Sequence, residues 1–330
     1  MDRRATAGDT PLTVADAASA WLGRGRGQHG EWVRSTRERY ERIVRRHLDA
    51  SADVDLPPIG TIALADLTVD DVADWSAANE RTLAPTTAVI ALIVLKAVCR
   101  FAVRRGGLAD NPVLALEPGE KPHWSPGRVA ALEGPALAKV LDHAGSYRPL
   151  FELLAFMGLR IGEALGLVWA DVDLDAGLVS VHRQLSRYRE HAKLKTKAGR
   201  RQVVLAPAMV RLLRAQWLQH PYKGADDFVF TTMTGRPLDY RRVGAAFRLA
   251  VARSGVRGDG RLSLHSLRHG YASLLIAEGL DVVFVSRQLG HADPGVMLSV
   301  YAHLFARAKH ALAARSAIES GCAAMALSRS

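Results

Sequence analysis

The chain has 330 residues, 44 Lys and Arg against 33 Asp and Glu, a net charge of +11, and 48% hydrophobic residues. That length exceeds one ordinary core, so about two domains are expected, and the apolar share excludes wholesale disorder. Two cysteines, Cys99 and Cys322, are too few for a disulfide framework or a thiolate zinc site. The opening MDRRATAGDT lacks the apolar stretch of a signal peptide, and the longest apolar run, Ala88 to Leu95, stops at Lys96, far short of a bilayer span. A cytoplasmic protein with no membrane partner is the expectation.

The first 120 residues carry 15 basic and 17 acidic side chains, the remainder 29 and 16. A positive excess confined to the second segment points to a polyanionic partner, because Lys and Arg that neutralise phosphates release condensed counterions. In chain order, residues 1–12 read as a tail. Thr13 to Trp21 is a short amphipathic helix. Ser35 to Leu48 is a second, with Ser35 or Thr36 as N-cap, Glu38 close behind, and Tyr40, Ile43, Val44 and Leu48 at helical spacing. Arg37, Arg42 and Arg45 lie on its remaining surface. Asp70 to Asn79 and Pro85 to Arg105 follow as helices, the latter carrying Lys96, Arg100 and Arg104. EPGEKPHWSP, residues 117–126, holds three prolines and a glycine and reads as the interdomain linker.

Helices resume at Glu133 to Ala144 and Tyr147 to Met157. GLRIGEALGL, residues 158–167, reads as a helix opened by Gly158, with Arg160 and Glu163 three apart on one face. The pattern then switches to period 2, predicting strands at Leu178 to Leu185, Ala192 to Thr196 and Arg201 to Leu205, the last two joined around Ala198-Gly199. Helices are predicted at Met209 to Gln219, Tyr240 to Ser254, His265 to Glu278 and Asp281 to Leu289. The densest chemistry lies in residues 264–305, where His265 and Arg268 share a helix face, His291 follows a Leu-Gly turn, and Tyr301 comes ten residues later.

Each of these residues alone has an ordinary explanation in capping, pairing or packing. The ordered set of Arg160, a hairpin lysine, His265, Arg268, His291 and Tyr301 resembles the tyrosine recombinase, or phage integrase, family. GLRIGEAL resembles its first arginine box, with Glu163 in the acidic position. KLKTKAGRRQVVL resembles the hairpin bearing the catalytic lysine, which the Lys-Thr step assigns to Lys195 over Lys193 or Lys197. HSLRH, LGH and VYAHL resemble the remaining boxes. The resemblance implies a mainly α fold with a small antiparallel three-stranded sheet, built as a two-domain DNA clamp. A helical core-binding domain would span 13–116, the catalytic domain 127–306, and a C-terminal helix or tail 307–330 would dock on a neighbouring protomer.

The implied chemistry is strand cleavage and rejoining. Arg160 and Arg268 would clamp the non-bridging oxygens of the scissile phosphate. Lys195 would protonate the departing 5′ oxygen, His265 would accept the phenol proton or hold the phosphate, and His291 would donate a hydrogen bond to it. Tyr301 would form a 3′-phosphotyrosine, and a second strand's 5′-hydroxyl would reverse the step through a Holliday junction. The bond energy is conserved, so no cofactor, neither ATP nor metal, is expected. The expected partners are double-stranded DNA, a homo-tetramer on paired sites, and accessory DNA-bending or directionality factors in the nucleoid. Phosphate contacts are expected from the six basic residues of the first segment already named and from Arg200, Arg201, Arg241 and Arg242. Three other readings compete. A metallohydrolase would use His265, His269 and His291, but no glutamate stands between the first two and the nearby arginines would repel a cation. A non-catalytic DNA-binding regulator would explain the charge but not Tyr301. A type-IB topoisomerase would share the chemistry but not the helical first segment.

Overall fold

In the computed structural model, residues 12–27, 30–49, 58–124, 130–193, 199–258 and 260–290 are described, together with Gly295 and Tyr301. The chain divides into two units, residues 1–125 and 126–330.

The first unit is helical. Helix α1 (Val14–Gly23) begins at a reciprocal cap in which Thr13 Oγ1 accepts the Asp16 N–H at 3.2 Å and Asp16 accepts the Thr13 N–H at 2.9 Å. Strands β1 (Arg26–Gly27) and β2 (Gly30–Glu31) form a minimal hairpin. Helix α2 (Arg34–Ile43) starts one residue before the expected cap, after Val33, which makes no capping bond. Ion pairs replace the cap, with Arg34 on Glu38 at 3.2 Å and Arg37 on Glu41 at 2.9 Å. The helix then widens into a π turn over Val44–Leu48. Helices α3 (Val69–Thr82), capped by Thr68 and Asp71, and α4 (Pro85–Val103) complete the unit. By length and composition α4 could cross a membrane, yet Ala91, Val94, Leu95, Val98 and Cys99 are buried in this unit's core beside Trp75.

In the second unit, α5 (Gly134–Asp142), α6 (Arg148–Met157) and the short α7 (Ile161–Leu165) lead into strands. Gly158 does not open α7 as expected. It closes α6 with φ of 60°, a left-handed conformation in which glycine carries no Cβ penalty, and Arg160 becomes the cap of α7.

The three-stranded antiparallel sheet is present with a different membership. It orders β3 (Val172–Asp173), β4 (Leu178–Val181) and β7 (Arg201–Val204), while β5 (Arg183–Leu185) pairs with β6 (His191–Lys193) separately. The single strand expected over Leu178 to Leu185 is therefore divided at His182 and pairs with two different partners in succession. Arg201 stands opposite Val181 and Lys193 opposite Arg183, so the two ends of the segment between β6 and β7 are anchored two residues apart along this ribbon. Helices α8 (Pro207–Gln219), α9 (Tyr240–Ser254), α10 (Leu264–Ala277) and α11 (Val282–Leu289) follow. The main core gathers Phe151, Phe247, Leu153, Leu154 and Met157. A smaller cluster of Tyr271, Ala272, Ile276, Val285 and Leu289 receives Tyr301.

Candidate active site

Four segments converge near Tyr301. At the turn from α6 into α7, a side chain at position 158 would run into the Tyr271 ring, so glycine alone permits the approach. Arg160 donates its backbone N–H to Glu163 Oε2 at 2.9 Å and its Nη1 to Oε1 at 2.8 Å. The other face of α7 rests on the β5 backbone. A Cβ at Gly162 would lie 2.8 Å from the Leu185 carbonyl oxygen, and one at Gly166 2.9 Å from its amide nitrogen. Two glycines four apart thus let the helix carrying Glu163 lie directly on the ribbon.

Strand β7 contributes Arg201, one of the expected phosphate contacts. Its side chain is only 7% exposed. Nη2 donates to Glu163 Oε2 at 2.9 Å, Nη1 to Oε1 at 3.3 Å, and Nε to the Gln288 carbonyl at 2.6 Å. Helix α10 contributes Arg268, buried, with Nη1 on the Gly158 carbonyl at 2.6 Å and Nη2 on the Leu289 carbonyl at 2.5 Å. Arg160 Nη2 reaches the Gly290 carbonyl at 3.1 Å. Three guanidiniums therefore take three consecutive carbonyls, those of Gln288, Leu289 and Gly290, at the end of α11. The last carbonyls of a helix lack intrahelical partners and carry its partial negative charge, so cations are stabilised there. Gly290, in the left-handed region with φ of 68°, directly precedes His291. The arginines fix the point from which the chain continues to that residue.

Two arginines, Arg160 and Arg201, share the Glu163 carboxylate, and Arg268 lies beside them. Burial by itself would raise the Glu163 pKa, but the Arg201 bonds, with Arg160 second, outweigh it and hold the carboxyl below its usual range. Burial and then Arg160 pull Arg268 down to about 9, which leaves it charged at neutral pH. The cluster retains two positive charges for which an anion is the natural partner. His265 keeps an accessible edge but is crowded on its inner side. That partial desolvation, followed by Arg268 and Arg160, lowers its pKa and favours the neutral imidazole. Tyr301 is buried, and burial raises its phenol pKa against a smaller opposing effect of Arg268. Its hydroxyl lies in hydrogen-bond contact with His269 Nδ1, and the His269 ring meets that of His265 edge-on, with centroids 5.0 Å apart.

The sequence profile described as the Phage integrase family matches residues 134–307, more than half of the chain. The chain belongs to the phage integrase family. Its members are tyrosine-type site-specific recombinases. Prophage integrase IntR of Escherichia coli K12 is 28% identical over 232 residues, covering 64% of this chain and 55% of its own length. An integrase of Streptomyces ambofaciens is 28% identical over 313 residues, covering 88% and 76%. The chain thus spans between about half and three quarters of the length of these two relatives. Among solved structures, the Tn1549 transposon integrase in complex with transposon right end DNA superposes with a TM-score of 0.76 at 21% identity, covering 93% of this chain and all of that one. A lambda integrase tetramer bound to a Holliday junction gives 0.61 at 20% identity, covering 85% and 76%. These likenesses establish the integrase fold.

Within that family frame, Arg160, Glu163, His265, Arg268 and Tyr301 come from distant parts of the sequence to one site, whereas Lys195 and His291 lie outside the described residues. Of the basic residues expected on DNA, Arg37, Arg42, Arg45, Arg100, Arg104, Arg200, Arg241 and Arg242 are exposed and Lys96 is half-buried. Arg201 is the exception. Its guanidinium is committed to Glu163 and to α11, so it braces the site from within rather than offering itself to a phosphate. Sequence reasoning raised His269 only as a zinc ligand. The signal was its place four residues after His265, which puts both rings on one face of α10.

Proposed function

We propose that this chain cuts and rejoins DNA at specific sites through a covalent 3′-phosphotyrosine, with Tyr301 as nucleophile. The observation that carries this reading is a buried tyrosine beside a cluster of three arginines that one glutamate balances only in part. A phosphodiester supplies the anion that such a cluster lacks, and two of its guanidiniums, Arg160 and Arg268, stabilise the charge that develops on the non-bridging oxygens during attack. Lys195 protonates the 5′ oxygen as it leaves, and His265 and His291 hold the phosphate by hydrogen bonds. A 5′-hydroxyl from a second duplex then attacks the phosphotyrosine, so two rounds of exchange pass through a Holliday junction without an external energy source.

Strand exchange between two duplexes requires four copies, and head-to-tail contacts among them close into a ring. Residues 307–330, outside the described residues, supply the connecting segment in this reading. An apolar groove of about 280 Å³ on the second unit, lined by Leu132, Leu137, Leu141, Ala155, Phe156 and Leu274, offers an apolar seat for such a segment, and Phe156 and Leu274 are exposed. Double-stranded DNA is the substrate, with accessory bending or directionality factors as further partners in the nucleoid.

The test uses a nicked suicide duplex carrying the site that the full chain selects from random duplexes. Wild-type protein should be trapped covalently and Tyr301→Phe should bind without adduct. Exchange between two such sites then separates a recombinase from a type-IB topoisomerase, which would form the adduct but not exchange. Wild-type protein that forms no adduct, or adduct that survives Tyr301→Phe, would overturn the assignment.

A further inference from the structure

The phenol that must lose a proton is buried, and its hydroxyl reaches α10 just past the His-x-x-Arg box. It contacts Nδ1 of His269, the residue after Arg268. Burial raises the Tyr301 pKa, so at neutral pH the hydroxyl remains protonated and must give up its proton as it attacks. A group that takes this proton has to lie within hydrogen-bond reach of the oxygen. His269 meets that requirement. It sits on α10, half-buried, one residue beyond an arginine anchored at 2.6 Å and 2.5 Å to two carbonyls, so its backbone position is tied to the phosphate clamp. The rings of His269 and Tyr301 lie with centroids 5.8 Å apart. His265, by contrast, stands on the guanidinium side, where desolvation and then Arg268 and Arg160 lower its pKa.

We infer that His269 is the proton acceptor for the nucleophile, a catalytic residue in addition to those of the recombinase reading, on which this inference rests. In cleavage, Tyr301 Oη forms a bond to phosphorus as the phosphorus–O5′ bond breaks. The phenol proton passes to His269 Nδ1, and the departing O5′ takes a proton from Lys195. In resealing, the attacking 5′-hydroxyl gives its proton to Lys195, and the imidazolium of His269 returns its proton to the tyrosine oxygen. Protons and electron pairs balance over the cycle. The neutral imidazole that begins it carries its hydrogen on Nε2, which leaves the Nδ1 lone pair directed at the hydroxyl. The division of labour that follows is spatial, with His265 on the phosphate and His269 on the phenol.

The experiment measures single-turnover cleavage of the nicked suicide duplex by wild type, His269→Ala, His269→Asn and Tyr301→Phe, with duplex binding measured in parallel. The Asn side chain still accepts a hydrogen bond from the phenol, which preserves packing, but it cannot take the proton. Both His269 variants should bind DNA within about threefold of wild type and cleave about 10²–10⁴-fold more slowly, the usual range for lost general-base assistance. Added imidazole should restore part of the rate of His269→Ala. A duplex with sulfur in place of the 5′ bridging oxygen should rescue Lys195→Ala but neither His269 variant, since that leaving group needs no proton while the nucleophile still must lose one. Cleavage by His269→Asn within threefold of wild type would overturn the inference, as would rescue of that variant by the thio substrate, which would move His269 to the leaving-group side. Absence of adduct from wild-type protein would instead overturn the recombinase reading, with its own signature in the first lane of the assay.

Discussion

Arginines in the two units show how differently one residue type behaves. On α2, Arg34 and Arg37 pair with glutamates four residues away, and their side chains remain 61% and 54% exposed. Pairs of this kind contribute about 0–1 kcal/mol because water already solvates both partners. In the second unit, Arg201 and Arg268 are buried, and with Arg160 they surround a single buried carboxylate and the end of α11. There the desolvation of each charge is large, and it is offset only by well-formed hydrogen bonds and by the helix dipole. The first arrangement tolerates substitution and leaves its cations available to a polyanion. The second keeps a concentrated charge fixed at one place.

The strongest way to break this contrast is to remove a clamp arginine. Arg268→Ala should lower the rate of cleavage of bound DNA by at least about 10²-fold, since oxyanion-type donors act mainly on charge that develops in the transition state. Single-turnover rates beside binding isotherms make the test. A variant that loses affinity but cleaves bound DNA normally would refute the clamp.

Next in size is the carboxylate at the centre. Glu163→Gln leaves Arg160 and Arg201 facing an uncharged amide, and breaking a buried pair in this way should cost about 3–5 kcal/mol in denaturant unfolding. The pH dependence follows from the lowered pKa. Glu163 contributes stability above the ordinary glutamate value of 4.5, and this contribution is lost as pH falls through the lower folded value. The wild type should therefore lose stability as the pH falls from 4.5 through the folded value, and the variant should show a shallower acid limb. Equal limbs would mean that Glu163 is not ionised against the arginines.

A smaller effect sharpens the role of backbone contact. Gly162→Ala puts a methyl 2.8 Å from the Leu185 carbonyl oxygen, where backbone must yield, so about 1–3 kcal/mol of destabilisation is expected in thermal or denaturant unfolding. The same change at Gly106, with nothing near its Cβ position but φ of 75°, would report conformational strain without that clash.

The smallest expected effect is at the exposed end of the comparison. Arg37→Ala should change stability by less than about 1 kcal/mol, because its pair with Glu41 is solvated. If Arg37 meets a phosphate, the same substitution should weaken binding evenly across sequences and reduce the salt slope by about one. An unchanged slope would leave Arg37 as a solvated helix residue only.

The helices were legible because each carries its own local signal. Apolar spacing marked α4 and α9, and glycine or proline marked many ends. Errors arose where a local signal had two meanings. Gly158 could open one helix or close another, and the left-handed turn against Tyr271 decided for closure. Leu178 to Leu185 alternates like one strand, but alternation does not tell how many partners a strand has, and the ribbon changes partner at His182.

The site divides along the same line. Residue identity and order brought out Arg160, Glu163, His265, Arg268 and Tyr301 through their resemblance to the family's series of short boxes. Only the folded chain decided what each cation faces. Arg200 and Arg201 are neighbours of the same type, yet Arg200, just before β7, is exposed, while the side chain of Arg201, the first residue of that strand, is buried against Glu163. His265 and His269 are likewise one residue type on one helix face, and it is the packing of Tyr301 against α10 and α11 that puts the phenol on His269. Composition and spacing determine which groups are available. Long-range packing sets burial and distance, and these determine which of the available groups carries charge and which can receive a proton.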